Sequence, residues 1–147
     1  MDEVTGLFNQ RFVTEMLRSM IGQHERYHKP FSIVLLSVEK ASGTSGVPNR
    51  SVLRRVATQI RGDLRLVDDV ARLDDGRFLL VLPHTEKAGA HIAADRVRSG
   101  VNRLLRADGP LAEIEVLGTE GDLPAIIALC GAPAEDERNP ARTRAAA

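Results

Sequence analysis

The stretch Val67-Asp-Asp-Val-Ala-Arg-Leu-Asp-Asp-Gly-Arg-Phe-Leu-Leu-Val-Leu-Pro83 holds two short apolar runs on either side of Asp74, Asp75 and Gly76. Asp-Gly between apolar runs is a strong hairpin signal, because a type I′ turn needs positive φ at both central residues. Residues 67–73 and 78–82 are therefore expected to be the two arms, with Pro83 ending the second. Upstream, residues 31–38 form a nearly continuous apolar run, the pattern of a central strand buried on both faces.

Helical patterns separate these strands. Residues 2–9 are a polar, turn-rich opening in which Thr5-Gly6 breaks any earlier helix, and Asn9 is placed to cap a helix that runs to about His24. Phe12, Met16 and Met20 lie one turn apart and predict its core-facing stripe. Residues 41–48 are small, polar and glycine-bearing, a loop from which Pro48 opens the next helix. Val52, Leu53, Val56 and Ile60 give that helix one apolar face. Residues 86–105 predict a third helix with Ala90, Ala93, Ala94, Val97, Val101 and Leu104 inward. Residues 114–117 and 125–129 read as two closing strands. The order α-β-α-β-β-α-β-β predicts an α+β domain, with helices packed on a mainly antiparallel sheet.

Composition narrows the function classes. The chain of 147 residues is long enough for one domain with a single core. The expected division is one domain over residues 1–136 and a flexible tail over 137–147, within a Pro-, Ala- and Arg-rich end. Lys plus Arg and Asp plus Glu both number 20, a balance that argues against a dedicated nucleic-acid binder. Tryptophan is absent, so stacking surfaces for single strands are scarce. Cys130 is the single cysteine, which excludes an internal disulfide and a cysteine-rich zinc site. No apolar run spans a bilayer and the N-terminus does not read as a signal peptide, so the expected compartment is the cytoplasm.

Several segments, in order, resemble the GGDEF (diguanylate cyclase) family. Asp2-Glu-Val-Thr-Gly-Leu-Phe-Asn9 is similar to its opening motif D-x-L-T-G-L-x-N, and Arg11 and Phe12 follow as they do there. Residues 30–39 resemble its first strand, which ordinarily ends in D-I-D. Val52-Leu-Arg-Arg-Val-Ala57, Asp69-Val-Ala-Arg72, Phe78 to Pro83 with Thr85, and Ala94-Asp-Arg-Val-Arg98 continue the likeness to about residue 105, and weakly to about 136. The resemblance implies a palm-like, nucleotide cyclase-like α/β sandwich. The chain opens directly on the first motif, as a domain cut from a longer regulator would.

Active members of that family join two GTP molecules held on two facing domains, with carboxylates binding divalent metal. By resemblance, the first metal carboxylate falls at Ser37, a poor ligand for a hard cation, while Glu39 keeps an acid at the second position. Aligned on Arg72 and Phe78, the two signature glycines become Asp74 and Asp75, and the two acids become Gly76 and Arg77. A guanidinium there would repel the metal. The guanine-binding stretch is shortened over residues 41–51, with Asn49 as its one attractive relic, and the family's last basic helix is missing. The resemblance thus implies a degenerate domain with no catalytic residues, metal site or cofactor. Two other readings of the hairpin are a rearranged metal site from Asp74, Asp75 and Glu39, and a nucleotide held without turnover by Arg77.

A second family feature is retained. Many members bind cyclic di-GMP at an R-x-x-D motif ahead of the hairpin, and Arg65-Leu66-Val67-Asp68 stands at that spacing. Arg offers a planar fork of donors for phosphate or guanine edges, and Asp can accept from guanine N–H groups. Arg96 falls where a further arginine completes the family's site, whereas Arg26 matches poorly in register. The bland reading of the motif is a surface ion pair worth little. His84 and His91, and His24 and His28, lack supporting ligands and read as solvated residues, and Cys130 as a small buried one. The resemblance implies a bacterial cyclic di-GMP receptor whose partner is a second copy of the chain or another regulatory domain. The alternatives are a nucleotide-independent dimerisation module and a GTP-binding regulator with residual cyclase activity.

Overall fold

The computed structural model describes residues 5–39, 50–74, 76–105 and 111–130. The elements run β1 (Phe8–Asn9), α1 (Gln10–Tyr27), β2 (Phe31–Glu39), α2 (Arg50–Asp63), β3 (Asp69–Asp74), β4 (Arg77–Pro83), α3 (Lys87–Leu105), β5 (Leu111–Gly118) and α4 (Leu123–Cys130). The five strands form one sheet in the order β1-β3-β4-β2-β5. Among the described residues, β1 and β3 pair in parallel and the other neighbours are antiparallel, in keeping with the mainly antiparallel sheet that the sequence predicts.

Alternation along the strands divides the core into two layers. Val34, Leu36 and Val38 of β2, with Phe78, Leu80 and Leu82 of β4, pack under α2 and α3. Phe31 and Ile33 of β2, with Leu79 and Val81 of β4, pack under α1 and α4. The period of two in a strand sends neighbouring residues to opposite faces, so a central strand covered on both sides must be apolar throughout. β2 sits between β4 and β5 and carries that pattern.

Several expectations are corrected. The segment read as a closing strand at 125–129 is a helix, α4, whose Ile126 is completely buried against the α1 layer. Its start shows why: the Asp122 carbonyl accepts the Ile126 N–H at 3.0 Å, and Pro124 sits in the first turn, where its missing N–H is harmless. The buried stripe of α1 is Val13, Leu17 and Ile21, with Met16 and Met20 at its edge. Phe12 instead lies outside, stacked on Phe8 at 4.3 Å between ring centroids. Asn9 caps α1 as expected, accepting the Phe12 N–H at 3.0 Å. The helix runs on to Tyr27 because His28 adopts a left-handed conformation (φ 58°) and returns its N–H to the His24 carbonyl at 2.8 Å. In α3 the buried residue of the last turn is Leu105 rather than Leu104.

The loop at 41–48, Pro48, Asn49, Asp75, Arg106 to Pro110 and the tail from residue 131 lie outside the described residues, as do the side chains of Glu39, Asp74 and Cys130. The turn type expected at Asp75-Gly76 and the tail over 137–147 therefore lie there too.

The start of α4 is tied to the start of α3 by Lys87 Nζ and Asp122 Oδ2 at 2.8 Å, and the same oxygen accepts the Gly118 N–H at 3.0 Å. Lys87 first, and then the Gly118 N–H, hold the Asp122 carboxyl below its ordinary value. A lowered folded-state value means that the unfolded chain binds the proton more readily. The contribution is therefore present above the ordinary carboxylate range and is lost as pH falls through the folded value. Asp122→Asn is expected to melt below the parent chain at neutral pH. The gap should close as pH falls below about 4, checked by thermal melts across that range.

Candidate functional site: the cleft between the α2–β3 turn and α3

Arg65 and Asp68 form the turn that links α2 to β3. The Asp68 N–H returns to the Arg65 carbonyl at 3.0 Å, closing a four-residue turn. The Asp68 carboxylate, only 2% exposed, then accepts three bonds from Arg65. Oδ2 takes the Arg65 backbone N–H at 2.9 Å and Nε at 3.1 Å, and Oδ1 takes Nη2 at 2.8 Å. This fork-to-fork pairing is the strong form of an ion pair, and it satisfies a carboxylate that burial alone would penalise. Nη2 also donates to Thr85 Oγ1 at 2.8 Å and to the Pro83 carbonyl at 3.4 Å. Thr85 in turn donates to that carbonyl at 2.9 Å. The hydrogen bonds to Asp68 raise the Arg65 pKa above its ordinary value, against the effect of desolvation.

Arg96 comes from α3 and donates through Nη2 to the Asp63 carbonyl at 3.1 Å, at the C-terminal end of α2. The Asp63 side chain accepts from Gln59 Nε2 at 3.0 Å. That pair lies directly over Gly100, where a Cβ would come within 2.7 Å of Asp63 Oδ2 and 2.8 Å of Gln59 Nε2. Gly100 thus permits the close approach of α2 and α3 that places Arg96.

Arg65, Asp68 and Arg96 line one open cleft of about 480 Å³, together with Leu82, His84, Thr85, Glu86 and the first turns of α3 to Ile92 and Ala93. Its volume is of small-molecule scale. Arg26 does not line it. Asp68 is placed differently from the expectation that it offers free acceptors to a ligand: it lies beneath Arg65 and fixes that guanidinium. His84, read from sequence as a solvated residue, lines the cleft in a left-handed conformation, φ 52°. That geometry costs a non-glycine residue about 1–2 kcal/mol. It stands between Pro83 and Thr85, the two residues that grip Arg65, a relation that no local sequence pattern signals. His91 does not line the cleft.

The two positions aligned by resemblance with the family's metal carboxylates lie at the other end of the β2–β4 pairing. Ser37 of β2 stands opposite Arg77 of β4, the last pair of a seven-residue antiparallel register. The Val38 N–H donates to the Gly76 carbonyl at 2.8 Å, tying the strand to the hairpin. Cross-strand partners share one face of a sheet, so Ser37 and Arg77 stand on the same face at this end. These two residues do not fit a divalent metal. Among the described residues, no group of three His, Cys, Asp or Glu side chains is arranged to hold one.

An α+β sandwich with this hairpin and this strand order defines the class of the nucleotide cyclase-like palm domains. Residues 1–110 match the family described as "Diguanylate cyclase, GGDEF domain", and the chain belongs to it. It is 30% identical over 105 residues to the response regulator PleD of Caulobacter vibrioides, covering 69% of this chain and 23% of that protein. The chain thus spans less than a quarter of that relative. The fold is similar to the FimX GGDEF domain of Pseudomonas aeruginosa (TM-score 0.72, 19% identity, 92% of this chain and 91% of that one). It is also similar to the GGDEF domain of DgcB from Caulobacter crescentus, solved with c-di-GMP (TM-score 0.71, 15% identity, 93% and 88%). Among the described residues, no helix is long and apolar enough to cross a membrane.

Proposed function

We propose that this domain is a catalytically inactive GGDEF domain that binds cyclic di-GMP in the Arg65–Arg96 cleft and acts as a second-messenger receptor. The observation that carries the reading is the fixing of Arg65: Asp68, Pro83 and Thr85 hold its guanidinium at the rim of the cleft that Arg96 also lines. Two arginines held in place suit a ligand with two phosphodiesters and two guanine edges, because their ordering cost is already met before binding. The binding of c-di-GMP by DgcB, of similar fold, supports the same ligand class. Loss of turnover follows from Ser37 and Arg77, which supply no carboxylate for metal-assisted attack of one GTP on another. Bound ligand would bias assembly with a second copy or with another regulatory domain.

Calorimetric titration of the chain with cyclic di-GMP is expected to give saturable binding in the micromolar range or tighter. No heat at tens of micromolar would sink the receptor reading. Incubation with GTP and Mg²⁺ or Mn²⁺ is expected to yield no cyclic di-GMP, and clear product would overturn the assignment of inactivity.

One observation favours a second reading, a nucleotide-independent interaction module. Leu66, between Arg65 and Asp68, is 97% exposed, and Val67 and Ile92 are also largely exposed. Large apolar side chains grouped at one rim are a feature of protein contacts. Self-association that is unchanged by cyclic di-GMP and lost in Leu66→Asp would support that reading over the first.

A further inference from the structure

We propose that His84 is a third ligand-contacting side chain of the cleft and makes cyclic di-GMP binding tighten as pH falls. The inference rests on the reading of the cleft as the cyclic di-GMP site. His84 sits between the two residues that hold Arg65 from the α3 side, Pro83 through its carbonyl and Thr85 through its hydroxyl. The turn that presents the imidazole is therefore built on the same guanidinium that meets the ligand. Its side chain is exposed and lines the cleft, while its backbone keeps a left-handed conformation that glycine or asparagine would adopt with less strain. Strained backbone kept at a cleft points to a use for the side chain.

The charged groups around the imidazole set the direction. Arg65 and Asp68 face the cleft from the α2–β3 turn, and Glu86 and Arg96 from α3 and its start. Asp68 is already committed to Arg65, which leaves Glu86, whose carboxyl is hydrogen-bonded to that of Glu120, as the acid facing the cleft beside two guanidinium groups. Protonation of the His84 imidazole would add positive charge to this rim. The phosphodiesters of the ligand keep their charge when that proton is gained. With His84 protonated, the ligand would meet a more cationic cleft.

Calorimetric titration of the full chain with cyclic di-GMP at about pH 6 and about pH 8 tests this, alongside His84→Asn and His84→Gly. Both variants accept the backbone geometry and cannot carry the charge. The parent chain should bind about fivefold tighter at the lower pH, whereas both variants should show the same affinity at the two values. Equal tightening in parent and variants, or a flat profile in the parent, overturns the role of His84 and leaves the receptor reading standing. Absence of binding by the parent at both pH values overturns the receptor reading and this inference with it.

Discussion

Arg65→Ala is expected to weaken cyclic di-GMP binding by roughly 100-fold or more, the range of a binding hot spot. On the proposed reading the guanidinium meets the ligand from the rim while its fork neutralises Asp68, so its loss acts twice. Asp68 is left buried without its guanidinium partner, keeping only the backbone N–H of residue 65, which costs about 1–3 kcal/mol of stability, at the lower end because Arg65 is 53% exposed and solvent can enter its place. The two effects separate by a double variant. Arg65→Ala with Asp68→Ala removes the orphaned charge and should recover much of the melting temperature, but none of the binding. Arg65→Lys supplies a point charge without the planar fork and should also bind poorly. Calorimetry for affinity and thermal melts for stability, on the same preparations, read both. Full affinity in Arg65→Ala would remove the cleft from consideration.

The second large effect is on stability. Phe78 is completely buried in the layer under α2 and α3, and its strand neighbours in register are Leu36 on one side and Arg72 on the other. Phe78→Ala is expected to cost about 3–5 kcal/mol, from lost transfer energy and the cavity left behind. Domains of this size hold on the order of 5–15 kcal/mol, so the variant would stand near its unfolding threshold at moderate temperature. Phe78→Leu keeps most of the volume and should cost no more than about 1.5 kcal/mol. Urea titration should show the midpoint falling steeply for alanine and little for leucine, with unchanged slope. A small loss for alanine would mean that the hairpin does not bear on the core as described.

The parts of the fold that were legible in sequence are those where local pattern and burial agree. β2 and β4 are apolar at consecutive positions because both faces are covered, and α2 shows one clean stripe. Arg65, Asp68 and Arg96 were found through their place relative to the hairpin, and the cleft brings all three to its lining. α4 was misread because residues 123–130 are apolar on every side, so no period distinguishes a short buried helix from a strand. The cue that separates them, Asp122 followed by Pro124, lies at the segment's start. The α1 stripe was displaced by one position because Phe12, Met16 and Met20 and the true set Val13, Leu17 and Ile21 obey the same spacing. The two-residue strand β1 was hidden in a polar segment, and its pairing with Ala71 and Arg72 depends on contacts distant in sequence. His84 escaped notice for a similar reason: its importance lies in a backbone angle and in bonds made by its neighbours.

The register that sets Ser37 against Arg77 also constrains what one substitution can do. An acid introduced at residue 37 would face the guanidinium of Arg77 across the strand pair, and part of its charge would be met there rather than by a metal. An acid introduced at residue 77 would face a hydroxyl. On the proposed reading, neither Ser37→Asp nor Arg77→Glu alone is expected to bring cyclase activity to this domain.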